Sequence, residues 1–285
     1  MTARPVVVLD QLALPRSPRW HDGRLWFSDV HDGRVWAMTE DGQAEPVVSV
    51  ADQPGGLGWL PDGRLLVVAM VGRRLLRLDA DELVEVCDLG RFGAHPWNDM
   101  CVTSDGRAYV GSCGHDVAPS GEPAGGPIVC VEPDGEAWVV AEQLLVPNGA
   151  VVLEGPDRAP TLLVAETYGQ RISAYDVQPD GSLRGARVWA DLRPNVPDGM
   201  CLDADGAAWV ADPVMKGLMR VVEGAGAVAW IPTGDRSPYA CALGGSDGRT
   251  LFACTGESTN PARTLVDRSG RIEALRVEVP AAVPA

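Results

Sequence analysis

Lysine is almost absent from this 285-residue sequence, in which Lys216 is the single example. Acidic residues outnumber basic ones by 39 to 24, which gives a formal net charge of −15 at pH 7. Proteins that bind nucleic acids neutralise phosphates with clustered lysine and arginine side chains. The composition therefore argues against a nucleic-acid partner.

Long apolar runs are also missing. No stretch approaches the roughly 20 apolar residues that a membrane-spanning helix needs. The amino-terminal segment MTARPVVVLDQLALPRSP has no run long enough for the core of a signal peptide. We therefore expect a cytoplasmic protein with no membrane partner, while the oligomeric state is left open.

Cysteine motifs for metal binding are lacking too. The seven cysteines are an odd number and their spacing fits no zinc motif, so reduced core thiols are favoured over metal or disulfide roles. The zinc-protease motif HExxH and the phosphate-binding motif GxxxxGK are absent as well. The sequence thus lacks the signatures of these two enzyme classes.

A repeated hairpin is what the sequence does contain. Apolar segments flank an Asp-Gly turn, in which Gly accepts a positive φ at little steric cost. The repeats begin at Asp22, Asp62, Asp105, a degenerate copy at Asp157, Asp205 and Asp247, at intervals of 40 to 52 residues. Repeats of this length have room for four strands each. They predict an all-β fold, a six-bladed β-propeller that forms a single domain over residues 1–285.

The two ends of the chain are expected to close the ring of blades. Residues 5–10 (PVVVLD) form an apolar strand before the first repeat, and Thr264 to Val279 resemble further strands around a turn. Pairing of the amino-terminal strand with the last blade would remove both free sheet edges. We predict closure of that kind.

One rim of the predicted channel collects polar residues. Inner strands begin at this rim, and Asn98, Asn148 and Asp198 stand at equivalent starts of three successive inner strands. Two amide oxygens and a carboxylate suit Ca²⁺, or Mg²⁺ or Mn²⁺ with added water. Taken singly, Asn-Gly and Asp-Gly pairs are also common in turns. Their shared position favours a cation site over turns, on the axis of a central-channel pocket at this rim.

Six segments of the sequence resemble the regucalcin and gluconolactonase family of six-bladed lactone hydrolases. They are SPRWHDGRLWFSDVHDG from Ser17, WNDMCVTSDGRAYVG from Trp97, VPNGAVV from Val146, VAETYGQRI from Val164, PDGMCLDADGAAWVAD from Pro197 and ACALGGSDGRTLF from Ala240. The resemblance implies an enzyme acting on a small lactone or related oxygenated metabolite. It also implies a divalent cation bound by Asn148, Asp198 and a Glu before the first inner strand. Asn98 would contact substrate or metal, and Asp198 would be a general base.

The chain departs from that family at the Glu position, where it has Arg16. A guanidinium has donors only and stays protonated, so it cannot ligate a metal. We therefore expect either no cofactor or a weakly held Ca²⁺, Mg²⁺ or Mn²⁺. Two interpretations of Arg16 are open. Its side chain could pair with Asp29 or Glu257 at the rim, or it could pair with Asp198 and offer donors to a carboxylate or oxyanion.

The remaining site candidates are bases and contact residues. Asp198 is the first candidate base, although an Arg16 neighbour is expected to lower its pKa. His115, in the long loop after the second strand of blade 3, is the next, and His31 and His95 are alternatives. Further residues at this rim are expected to contact substrate, namely Asn98, Trp97, Tyr239 and Arg171.

Three functions follow from these residues. The first is a lactonase-type enzyme in which metal-dependent hydrolysis is in doubt because of Arg16. The second is a metal-independent enzyme in which Arg16 and Asp198 rearrange or cyclise a small metabolite. The third is a propeller that binds a small molecule without turnover.

Overall fold

Six four-stranded antiparallel sheets form a ring, as the repeats predict. The structure is a computed structural model and describes residues 4–114, 125–155 and 158–282. The all-β six-bladed propeller is therefore confirmed. Each sheet is one blade, and four consecutive strands form each of the first five blades after strand β1.

The strands have the following bounds. Strand β1 spans Val6–Leu12. Blade 1 contains β2 (Pro15–His21), β3 (Arg24–Asp29), β4 (Arg34–Met38) and β5 (Ala44–Ser49), and blade 2 contains β6 (Pro54–Trp59), β7 (Leu65–Ala69), β8 (Arg74–Asp79) and β9 (Glu82–Asp88). Blade 3 contains β10 (Trp97–Val102), β11 (Ala108–Ser112), β12 (Gly126–Val131) and β13 (Ala137–Leu144), and blade 4 contains β14 (Pro147–Gly155), β15 (Arg158–Glu166), β16 (Arg171–Val177) and β17 (Leu183–Asp191). Blade 5 contains β18 (Met200–Leu202), β19 (Ala208–Asp212), β20 (Gly217–Val222) and β21 (Gly226–Pro232), and blade 6 contains β22 (Ser237–Gly244), β23 (Thr250–Gly256), β24 (Gly270–Arg276) and β1. A 3₁₀ helix spans Leu89–Phe92, and helix α1 spans Pro261–Asp267.

Local hairpins build each blade. In blade 1 the register runs from Pro15 opposite Asp29 to His21 opposite Arg24. Asp22 and Gly23 join the two strands, and both have positive φ, 48° and 74°. This turn geometry matches the twist of the flanking strands. The second strand therefore returns to the rim at which the inner strand began, and we call this the upper rim.

Apolar side chains fill the interfaces between neighbouring blades. Leu163 and Ile172 of blade 4 pack with Val210 and Met219 of blade 5. Every residue of strand β7 is buried, because its sheet has a neighbour on both faces. The core thus lies between blades, and the polar ends of the inner strands remain at the channel.

The predicted closure of the ring is confirmed. Strand β1 pairs with β24, with Val6 opposite Ala274 and Val7 opposite Glu273. Blade 6 therefore combines the amino-terminal strand with three carboxyl-terminal strands. This pairing gives the last blade the same four strands as the others.

The expectation of strands throughout Thr264 to Val279 is wrong in its first part. Residues Pro261–Asp267 form helix α1, and only Gly270–Arg276 is a strand. The helix begins where the Asn260 side chain accepts a hydrogen bond from the Ala262 amide, with Pro261 in the first turn. Helix α1 lies in the loop after the second strand of blade 6, at the upper rim.

All seven cysteines are free, and six of them are buried, as expected for reduced core thiols. Burial raises the pKa of Cys113 to about 11 and that of Cys101 to about 12. These thiols are therefore protonated at neutral pH. Neither described helix is long and apolar enough to cross a membrane.

Candidate functional site

The starts of the inner strands place Asn98, Asn148 and Asp198 at the upper rim, and all three are buried. Gly149 and Gly199 follow two of them, and neither has positive φ. A Cβ on Gly149 would lie 2.6 Å from the Met200 amide nitrogen, and one on Gly199 would lie 2.4 Å from the Ala240 Cβ. These glycines therefore let adjacent inner strands approach closely, which turn chemistry does not explain.

Arg16 pairs with Asp198. The Arg16 Nη1 donates to Asp198 Oδ1 at 3.2 Å, and the two side chains are 19% and 5% exposed. The rim alternatives have other partners, since Asp29 accepts from the Ala13 and Leu14 amides and Glu257 binds Arg236. Of the two interpretations of Arg16, the structure has the pair with Asp198.

Tyr239 lies beneath the Arg16 guanidinium, whose Cζ is 5.0 Å from the ring centroid. A cation held over an aromatic face is attracted by the ring's negative π-face. Tyr239 packs with Leu14 and Val30, and burial raises the pKa of its hydroxyl. The guanidinium is thus held between a carboxylate and an apolar, uncharged wall.

Asp198 is a stronger base than the sequence led us to expect. Its pKa is raised to about 6, mainly because burial disfavours the carboxylate. Arg16 lowers the pKa, as expected, and so do the hydrogen bonds from Asn148 and the Gly199 amide, while the nearby Asp99 raises it. Burial outweighs the guanidinium, so the pKa of Asp198 lies above its usual value although Arg16 lowers it as expected.

Asn148 is oriented by a residue that the sequence did not single out for a role. The Asn148 Nδ2 donates to Thr167 Oγ1 at 3.2 Å, and Thr167 Oγ1 donates to the Pro197 carbonyl at 2.9 Å. Thr167 follows a second strand at the upper rim, and that position is the only signal for it. It links the Asn148 and Asp198 segments of neighbouring blades.

A second ion pair joins two inner strands. The Arg19 Nη2 donates to Asp99 Oδ1 at 2.7 Å and to the Met100 carbonyl at 2.6 Å. Arg19 lies three residues beyond Arg16 on β2, and Asp99 adjoins Asn98 on β10. Asn98 itself donates to the Pro147 carbonyl at 3.4 Å. This pair fixes blades 1 and 3 relative to each other.

Two predicted contact residues have structural partners. Arg171 donates through Nε and Nη2 to the fully buried Glu166, at 2.8 and 3.0 Å. Trp97 is fully buried and packs in the core between blades 2 and 3, with Leu66 and Val110 among its neighbours. The structure therefore does not bring either side chain to the Arg16 and Asp198 pair.

The histidines have separate positions. His115 lies outside the described residues, and His95 is partly buried in the link between β9 and β10. His31 Nδ1 lies 2.7 Å from Thr264 Oγ1, whose hydroxyl donates to the Pro261 carbonyl at 3.3 Å. Thr264 Oγ1 therefore accepts a hydrogen bond from Nδ1–H, which leaves Nε2 as the acceptor in neutral His31. Burial and then Arg16 lower the pKa of His31.

Three buried acids at the ends of second strands bind backbone amides. Asp29 binds the segment before β2, Glu166 accepts from the Leu145 amide, and Asp212 accepts from the amides of Val196, Val214 and Met215. Each acid therefore ties its own strand end to the segment before an inner strand. These three carboxylates stabilise the upper rim by accepting hydrogen bonds from the protein's own backbone.

The donor set does not fit the divalent cation that the family resemblance implies. Arg16 is the nearest charged partner of Asp198, and a unit positive charge about 4 Å from a dication opposes it by roughly 8 kcal/mol at an effective dielectric of about 20. Across residues 4–114, 125–155 and 158–282, no three His, Cys, Asp or Glu side chains form a group that could hold a metal ion.

A sequence profile described as the SMP-30/Gluconolactonase/LRE-like region matches residues 14–257. The chain belongs to this family. Residues 14–257 include Arg16, Asn98, Asn148 and Asp198, so the family match spans the whole candidate site.

Two relatives of this family member carry lactonase names. A 6-deoxy-6-sulfogluconolactonase of Pseudomonas putida is 25% identical over 282 residues, covering 96% of this chain and 94% of the relative. A pentonolactonase of Haloferax volcanii is 26% identical over 212 residues, covering 72% and 68%. A structure of the calcium-binding protein regucalcin from Agrobacterium tumefaciens shares the fold, with a TM-score of 0.80, 19% identity and coverage of 98% and 95%.

Proposed function

We propose that this SMP-30/gluconolactonase-like protein is an enzyme that acts on a small lactone or a related oxygenated metabolite at Arg16 and Asp198. The observation that carries the proposal is the 3.2 Å contact between a partly exposed guanidinium and a buried carboxylate. A buried carboxylate of raised pKa is suited to accept a proton near neutral pH. The lactonase names of two relatives support the choice of substrate class.

In hydrolysis at this pair, Asp198 first accepts one proton and later returns it. A water molecule attacks the lactone carbonyl carbon while Asp198 accepts its proton. Arg16 donates to the resulting oxyanion and stabilises its charge. The ring C–O bond then breaks, and Asp198 returns the proton to the departing ring oxygen, which gives the hydroxy acid. Asn148 holds Asp198, and Thr167 holds Asn148.

A second candidate is an isomerisation or cyclisation that uses no water. Arg16 supplies a fixed positive charge, but a guanidinium does not lower the pKa of a bound water as a metal ion does. Asp198 would then move a proton within the bound substrate, with Arg16 stabilising an enolate or alkoxide. The same 3.2 Å pair supports this candidate.

Reaction of a lactone panel in ¹⁸O-labelled water, followed by mass spectrometry, distinguishes these functions. Hydrolysis inserts one labelled oxygen into the product, whereas rearrangement conserves substrate mass and inserts none. Asp198→Asn and Arg16→Gln are expected to lower kcat/KM by about 100-fold or more. Arg24→Gln is the matched control, since Arg24 pairs with Glu45 on the exposed outer part of blade 1. Ligand binding without any turnover would indicate a propeller that binds a small molecule and is not an enzyme.

A further inference from the structure

The exposed large apolar side chains of the described residues fall into two groups. Six lie on outermost strands, namely Val6, Val7, Val84, Val139, Val188 and Val228. The other six lie in loops between the second and third strands of blades 2, 4, 5 and 6, namely Val71, Tyr168, Val214, Met215, Leu265 and Val266. We call this second group the apolar collar.

The apolar collar shares the upper rim with Arg16 and Asp198. Pro147 opposite Glu166 shows the relation in blade 4, because the inner strand begins where the second strand ends. Tyr168 follows that strand end directly. Single exposed valines on outer strands are ordinary, whereas exposed apolar side chains in loops at the rim that carries a polar pair can bind the apolar part of a ligand.

Charged side chains of the same loops have partners within the protein. Lys216 Nζ donates to the Asp235 carbonyl at 2.7 Å, and Arg268 binds Asp32 at 2.6 Å. Glu257 binds Arg236 at 3.2 Å. These charges are engaged at the rim, whereas the apolar side chains beside them are open to solvent.

The wall beside Arg16 is apolar as well. Tyr239 packs with Leu14, Val30 and Met70. One hydroxyl on a second strand and one in the loop after another donate to the protein: Ser28 to the Gly55 carbonyl at 2.7 Å and Thr167 to the Pro197 carbonyl at 2.9 Å. A sugar lactone carries a hydroxyl on most ring carbons, and each needs a partner when it is buried.

We infer that the substrate of this site is a carbonyl compound with an apolar body, such as an alkyl-substituted lactone, and not a polyhydroxylated sugar lactone. Its carbonyl oxygen lies at Arg16 and its alkyl part lies along Tyr239 towards the apolar collar. The inference rests on the proposed function for the reaction but makes a separate claim about binding.

Continuity with the Arg16 and Asp198 pair favours a small ligand over a membrane or a protein as the occupant. Only 19% of the Arg16 side chain is exposed and it pairs with the buried Asp198, so a flat lipid surface would contact little of this cation. The net charge of −15 also opposes approach to an anionic bilayer. A ligand with one carbonyl and an apolar body can accept a hydrogen bond from Arg16 and also contact the apolar collar.

Binding of non-hydrolysable lactams by isothermal titration calorimetry tests the inference without requiring turnover. The probes are δ-lactams with ethyl, butyl and hexyl substituents, and the polyhydroxylated glucono-δ-lactam. Affinity is expected to rise about fourfold for each CH₂ that is buried. The hexyl lactam should therefore bind far more tightly than the glucono-lactam.

Matched valines separate the apolar collar from the rest of the surface. Val71 and Val228 are 53% and 52% exposed, but Val71 is in the collar and Val228 is on the outer strand β21. Val71→Ser should weaken binding of the hexyl lactam by about threefold, because Val71 follows Met70, which packs against Tyr239. Val228→Ser and Val188→Ser should leave it unchanged. Thermal unfolding of all three variants checks that they fold.

Three results of the lactam titrations would overturn the inference: equal or tighter binding of the glucono-lactam, affinity independent of chain length, or the same effect of Val71→Ser and Val228→Ser. Sedimentation with phosphatidylcholine vesicles that is lost in the collar variants would overturn it in favour of a membrane surface. Lactam binding as expected, without turnover of any lactone, would support the inference and contradict the proposed function. Rapid hydrolysis of gluconolactone with no preference for alkyl-substituted lactones would support the proposed function and contradict the inference.

Discussion

Arg16 and Asp198 lie 182 positions apart in the sequence, and their side chains meet at 3.2 Å between blades 1 and 5. Asp198 is almost fully buried, whereas Arg16 remains partly open to the channel. A ligand can therefore reach the cation while the carboxylate is largely shielded from bulk solvent. This difference in exposure between Asp198 and Arg16 affects both the pH dependence of the rate and the stability of the fold.

The rate should depend on ionisation of Asp198. Burial raises the pKa of Asp198 to about 6, and Arg16 lowers it from what burial alone would give. Because the ionised carboxylate accepts the proton, kcat/KM should fall about tenfold for each pH unit below about 6. Arg16→Gln removes the nearby cation, so its midpoint should move to higher pH. Arg16→Lys keeps the charge and serves as the control. Unchanged midpoints in pH–rate profiles of the three proteins would contradict this assignment.

The contribution of Asp198 to stability should fall as the pH rises from about 4 to about 6. The folded-state pKa of Asp198 is raised above the unfolded value of 3.8, so the folded protein binds more protons than the unfolded chain in this range. The contribution of Asp198 to the free energy of unfolding is thus fully present below about pH 4 and lost as the pH rises through about 6. Its full size is about 3 kcal/mol, at about 1.36 kcal/mol per pKa unit.

The measurement is chemical denaturation of the wild type and Asp198→Asn at several pH values. Asn does not titrate, so the difference in unfolding free energy between the two proteins should change by up to about 3 kcal/mol between pH 4 and pH 7. A constant difference over that range would show that Asp198 titrates normally. Comparing the two proteins at each pH removes the contribution of the other acids.

Asp212 is expected to support the rim without taking part in the reaction. Its side chain is fully buried and accepts hydrogen bonds from three backbone amides, those of Val196, Val214 and Met215. Asp212→Ala leaves these amides without that acceptor and should lower the unfolding free energy by about 1–3 kcal/mol or more. Asp180→Asn, on an exposed turn, is the control for a surface carboxylate. A thermal midpoint equal to that of the wild type would refute this role.

The architecture was predictable because its signals are local. Each Asp-Gly hairpin specifies two paired strands by itself, and six copies imply the ring that β1 closes. Helix α1 was missed although Asn260 followed by Pro261 is a helix-start signal, since the apolar residues after it also fit a strand.

The sequence predicts which main residues form the site, but it does not predict the pKa of Asp198. The position of Arg16 relative to Asp198 followed from the shared rim of the inner strands, yet the sequence left its partner open. The pKa of Asp198 depends on the competition between burial and a charge, and burial cannot be read from one sequence. Thr167 acts through a single hydroxyl that spans two blades, so no sequence pattern signals its role.

Titration of the purified protein with Ca²⁺ by isothermal titration calorimetry tests most directly whether Arg16 replaces a metal ligand. We expect no binding at millimolar Ca²⁺ by the wild type, because the guanidinium pairs with Asp198 and repels a dication. Arg16→Glu restores a carboxylate beside Asn148 and Asp198 and should bind about one Ca²⁺, and Arg24→Glu should not. Stoichiometric Ca²⁺ binding by the wild type that disappears in Asp198→Ala would contradict the account.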